Sequence, residues 1–133
     1  MIKTRLFKHT FILLFFISAM YLIGIVLHLN WTYWWYDVIL HFLSGVSVGM
    51  ATIIVWHYGF NFSKSDKIQM IKIAVFAALV IGILWEIFEL YMGLTFISDG
   101  INYVRDTASD IIMDISGGFF GALYAYKLTV KSS

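Results

Sequence analysis

Apolar residues dominate this chain in long runs, and short polar stretches divide those runs into four segments. The first covers residues 11–29 and follows a basic start containing Lys3, Arg5 and Lys8. It exceeds the roughly 7–15 residues of a signal-peptide core and lacks an A-x-A-like cleavage site, so it reads as a retained membrane span. Residues 31–36, Trp-Thr-Tyr-Trp-Trp-Tyr, are amphipathic rings suited to the headgroup level and predict a short interfacial turn. A second span is expected over 37–58, a polar loop over 61–66, and a third span over 73–92. A connection follows at 95–103, marked by Ser98-Asp99-Gly100, and a fourth span over 107–128 begins just after Asp106. The pattern predicts an all-α fold, one domain over residues 1–133 built as a bundle of four transmembrane helices. No proline interrupts them, so the spans should be largely unbroken.

Composition agrees with that pattern. The chain is 61% hydrophobic and 13% charged, against roughly 25% charged residues in a soluble domain. The absence of cysteine excludes disulfides, thiolate catalysis and cysteine-ligated zinc. No basic stripe or arginine-rich tail exists, which excludes nucleic acid as a partner. Lys and Arg fall before the first span, around the second loop and at the C-terminus. Arg105 is the exception, so eight of nine lie on one side. By the positive-inside rule, both termini are cytoplasmic and the first and third loops face outward.

The acids are distributed the other way. Asp66 is cytoplasmic, whereas Asp37, Glu86, Glu89, Asp99, Asp106, Asp110 and Asp114 occupy the outward half or its edge. Asp106, Asp110 and Asp114 recur every fourth residue and so share a helix face. Asp37 and His41 are one turn apart, and Glu86 and Glu89 are three residues apart, so both glutamates can address the same neighbour. A carboxylate near the centre of a bilayer helix costs roughly 2.5–3.5 kcal/mol when ionised and unpaired. Arg105 alone cannot neutralise the group, so protons or bound cations must. Oxygen ligands with one imidazole suit Mg²⁺, Mn²⁺, Ca²⁺ or Zn²⁺, and the metal candidates are Asp37, His41, Glu86, Glu89, Asp106, Asp110 and Asp114.

Each candidate also has a plainer role. Asp37 and Asp106 stand where helix N-caps are expected. Glu86, Glu89, Asp110 and Asp114 could form a protonated network that only joins helices. The rings of 31–36 are read as membrane anchors, His28 belongs with them at the interface, and Asp99 reads as turn chemistry. Gly45 and Gly49 in the second span, with Gly117, Gly118, Gly121, Ala122 and Ala125 in the fourth, predict closely packed helices.

The motifs Tyr36-Asp37-x-x-x-His41-Phe42-x-x-Gly45, Trp85-Glu86-x-x-Glu89 and Asp106-Thr107-x-x-Asp110-x-x-x-Asp114 together resemble the YjdF-type family of small bacterial inner-membrane proteins. More distantly, they are similar to VanZ-like proteins, which tend to carry glutamine and asparagine where this chain has Glu89 and Asp114. The resemblance covers the second to fourth spans and implies a multi-pass protein of the bacterial cytoplasmic membrane with a polar constellation. For the VanZ-like group it implies an association with resistance to a lipoglycopeptide antibiotic.

Three function classes follow. The first is an enzyme in which metal ions polarise a lipid-linked phosphate, with His41 as base and Arg105 as clamp. The second is a protein that binds or transports a cation or lipid phosphate without breaking bonds. The third is an accessory membrane protein. No HExxH, phosphate-binding loop or nucleophile motif separates the first two. Metal-assisted recognition of a lipid-phosphate ligand is the favoured expectation. The bilayer is the expected partner, and a homo-oligomer is compatible with the pattern.

Overall fold

The computed structural model describes residues 2–60 and 66–130, with side chains over 5–60 and 66–129. The expected polar loop around Lys64 and the terminal Lys131 lie outside the described residues. Every described element is helical. They are α1 (Ile2–Val26), the single turn α2 (Leu29–Thr32), α3 (Trp34–Ile54), α4 (Lys67–Met92) and α5 (Ile101–Val130). A wider, π-type turn (Val55–Gly59) extends α3, and a 3₁₀ turn (Ile97–Asp99) precedes α5.

The helices outrun the apolar segments that predict them, because the hydrogen-bond ladder continues wherever the ends can be satisfied. At α4, Asp66 caps the N-terminus by accepting from the backbone N–H groups of Ile68 and Gln69, which starts the helix at Lys67. Since α3 begins at Trp34 and α5 at Ile101, Asp37 lies in a first turn and Asp106 in a second. Neither aspartate is the N-cap that the sequence pattern suggests. The first helix ends at Val26, short of residue 29, where His28 adopts a left-handed backbone with φ 55°. The ring-rich segment is likewise not a simple turn but α2 and the start of α3. Trp31, Trp34 and Trp35 point outward as anchors would. Tyr36 does not: it is buried, and its hydroxyl donates to the Met20 carbonyl at 2.6 Å, tying α3 to α1.

Among the described residues three segments, Arg5–Val26, Trp34–Gly59 and Lys67–Met92, are long and apolar enough to cross a membrane. Helix α5 has 30 residues, or about 45 Å at 1.5 Å per residue, but its aspartates and small residues reduce its apolarity. Large exposed apolar side chains such as Phe11, Phe15, Phe76 and Ile87 cover the outer faces of α1 and α4.

The principal interface joins α3 to α5, with α4 against both and α1 lying mainly on α3. Close approach depends on the small residues. A Cβ on Gly45 would collide with the Asp114 backbone, and one on Gly117 with the Phe42 carbonyl and Val46 nitrogen. At one end of the bundle Leu6, Met50, Ile53, Met70, Ala122 and Ala125 form an apolar core. The opposite end, bounded by α2 and the 93–100 connection, holds the acids.

Candidate functional site

Three helices bring one histidine and five carboxylates together. Asp37 and His41 occupy successive turns of α3, Glu86 and Glu89 the last turns of α4, and Asp110 and Asp114 successive turns of α5. Asp110 is 2% exposed, His41, Glu86 and Asp114 5%, and Glu89 7%, while Asp37 is half-buried. The His41 ring is held by Asp114, whose Oδ2 lies 3.2 Å from Nδ1. Where that carboxylate accepts, the proton is on Nδ1; Nε2 faces the remaining acids. Nε2 stands 3.7 Å from Asp110 Oδ2 and 3.9 Å from Asp37 Oδ2.

Those two separations exceed a hydrogen bond but approach the span of ligands around one ion. Two donors about 2.1 Å from a tetrahedral ion are about 3.4 Å apart, and somewhat farther at calcium distances. Asp37, His41 and Asp110 offer ligand atoms within 4.8 Å of one another, and so do His41, Glu86 and Glu89. The two sets share His41. Glu86 Oε1 and Asp110 Oδ1 are buried with no hydrogen-bond partner, and among the described residues no Lys or Arg pairs with any of these acids. Among the described residues the cluster is therefore a convergence of acceptors with fewer donors than its oxygens can accept.

Some oxygens are oriented by neighbours. Thr107 donates to Glu86 Oε2 at 2.8 Å, and Trp85 Nε1–H donates to Glu89 Oε1 at 3.1 Å. Gly82 makes room for Asp114: a Cβ there would lie 2.5 Å from Asp114 Oδ2. Sequence reasoning assigned no role to Thr107, Trp85 or Gly82. The readable trace was their spacing, since Gly82 is one turn before Glu86, Trp85 one turn before Glu89, and Thr107 three residues before Asp110.

Two expected members stand apart. Asp106 is exposed and, like the expected ligand Asp114 that instead holds His41 Nδ1, belongs to neither ligand set, and Arg105 is exposed with no ion pair among the described residues. Asp106 instead borders a polar vestibule of about 460 Å³ at the loop end, together with Asp37, Glu89, Asp99, Asn30 and Thr95. Asn30 Oδ1 and Thr95 Oγ1 are buried there without partners. A second cavity of about 380 Å³ lies on the other side of the cluster and reaches Asp37, His41 and Asp114. Arg105 borders neither space.

Long apolar helices enclosing a buried acidic cluster define a membrane protein. A family model described as predicted membrane protein (DUF2238) matches residues 2–131. The chain belongs to that family, which is the YjdF family. No curated protein and no solved structure matches it.

Proposed function

We propose that this chain spans the bacterial cytoplasmic membrane four times with both termini inside. In this reading the His41 cluster holds a divalent cation, through which the protein recognises the phosphate of a lipid-linked ligand. The observation that carries the reading is the acceptor-only surround of His41 Nε2, with two buried carboxylate oxygens, Glu86 Oε1 and Asp110 Oδ1, left unpartnered. Leaving several carboxylates uncompensated at such a site costs several kcal/mol, which a cation offsets by ligation. The mixed oxygen and imidazole set suits Mg²⁺, Mn²⁺, Ca²⁺ or Zn²⁺. A phosphate cannot approach bare carboxylates, but it can share an ion with them. The four-span topology rests on the basic residues and on the length of α5, which matches those of the three more apolar helices.

The test is thermal unfolding of the purified protein with each of the four ions and with chelator. An ion at a concentration 100 times its Kd adds about 2.7 kcal/mol to the stability of the native state. Asp110→Asn and Glu86→Gln should remove most of that gain. If no ion stabilises the wild type, a protonated hydrogen-bond network that only joins the helices becomes the correct description. Phosphate release from lipid phosphates by reconstituted protein separates an enzyme from a binder. Release that requires metal and collapses in both His41→Ala and Asp110→Asn indicates hydrolysis; ion flux into sealed vesicles without lipid preference indicates transport.

A further inference from the structure

Along the bundle axis the chain stacks three chemically distinct spaces. The polar vestibule is at the loop end, the His41 cluster lies below it, and the second cavity runs on between α1, α3 and α4. That cavity is an apolar groove walled by Ile17, Leu22, Leu40, Val48, Ile81 and Trp85. Tyr21 and Asp37 border both the groove and the vestibule, so the two spaces adjoin across those side chains. From Asp37 to Val48 the groove descends eleven residues of α3, about 16 Å at 1.5 Å per residue.

The groove is also open sideways. Leu22 on the α1 rim is 63% exposed and Ile81 on the α4 rim 48%, both on helices apolar enough to lie in a bilayer. At the loop end Tyr21 of α1 meets Trp85 of α4 edge-on, ring centroids 5.4 Å apart, and roofs the opening. Head-group space, charged centre and apolar channel thus follow one another in the order of head group, phosphate and hydrocarbon in an outward-leaflet lipid.

We propose that the groove is a binding site for one hydrocarbon chain of a phospholipid, entering between α1 and α4, with its phosphate at the His41 cluster and the rest of its head in the vestibule. The proposal rests on the lipid-ligand reading above for its polar end. A chain moving from bilayer to groove stays among hydrocarbon, so transfer itself contributes little free energy. The groove therefore acts through shape: it admits or excludes a chain, while the polar end supplies affinity. Filling the groove should abolish occupancy even though it adds apolar surface.

The experiment uses the full chain in phosphatidylcholine vesicles carrying a small fraction of phosphatidic acid with a photoactivatable group midway along one acyl chain. Mass spectrometry then locates the adducts. Label should concentrate on groove residues such as Leu22, Val48 and Ile81, and fall about tenfold in Val48→Phe and in Ser18→Phe, Ser18 lining the groove from α1, equivalent to about 1.4 kcal/mol. Ion-dependent stabilisation should persist in both variants, which also reports that they fold. Label confined to outer-face residues such as Phe15 and Phe76, unchanged by either variant, overturns the groove while leaving the metal reading intact. Groove label in a protein that no ion stabilises supports the groove and removes the metal reading.

Discussion

Gly45→Ala tests whether the α3–α5 contact sets the geometry of the site. Gly45 is one turn below His41 on α3, and its added Cβ would collide with the backbone of Asp114, the residue that holds the His41 ring. Because backbone atoms cannot rotate away, the helices must part. Overpacking of this kind costs about 1–3 kcal/mol. Losing the hydrogen bond between His41 and the Asp114 carboxylate adds about 1.5–3 kcal/mol, and the better helix propensity of alanine returns about 1 kcal/mol. The net expectation is a destabilisation of about 1.5–5 kcal/mol. For a chain of this size each kcal/mol moves Tm by roughly 3–6 °C, a change visible by circular dichroism in detergent. Gly59→Ala is the control. Among the described residues its Cβ would meet nothing closer than Val55 Cγ1 at 3.8 Å, so that variant should be neutral or slightly stabilised. Equal stability of Gly45→Ala and wild type would refute the argument that this glycine brings His41 and Asp114 together.

Gly82→Ala should act on the site more than on the fold, because its Cβ meets the Asp114 carboxylate 2.5 Å away. A larger loss of ion-dependent than of intrinsic stabilisation is expected on titration with the ion, and equal losses would count against it. Thr107→Val removes the donor to Glu86 Oε2 and leaves both oxygens of a buried carboxylate without a protein donor. It should cost about 1–3 kcal/mol without an ion, and less when an ion is bound; a neutral result would remove Thr107 from the site. Reporter fusions after Lys67 and at Ser133 should score cytoplasmic and one near Asp99 external, and an external C-terminus would invert the placement of the acids.

The acids were legible because their cost in an apolar span forces them inward, and their spacing then fixes which of them can meet. That logic found His41 with Asp37, Glu86 with Glu89, and Asp110 with Asp114, which the folded chain does bring together. It kept Asp106 both as a ligand on the same face and as an N-cap, because helix periodicity does not say how far the packed region reaches. The structure separates them: α5 begins at Ile101, so Asp106 lies above the packed region and borders the vestibule. Helix starts were misjudged for a related reason. Apolar runs mark what lies in hydrocarbon, whereas helix ends follow backbone hydrogen bonds and caps such as Asp66, which extend into the polar margins.

The apolar walls of the groove left no trace in the sequence, and the reason lies in the physics of membrane helices. In water, an unpaired apolar helix face advertises a missing partner. In a bilayer, α1 is apolar on every side whether it faces lipid or protein, so its residues do not disclose that it rests on α3 and leaves a channel beside α4. Polar residues are the only ones whose burial the pattern can betray, and the channel was visible only through its polar edge. Asp37, His41 and Asp114 read as members of one cluster, but each also forms part of the groove wall. A carboxylate and an imidazole bordering hydrocarbon are difficult to explain as a device for holding helices together, since the same helices already interlock through Gly45, Gly49 and Gly117. On the reading proposed above, a site whose polar groups meet an apolar channel on one side and a polar vestibule on the other is suited to an amphiphile.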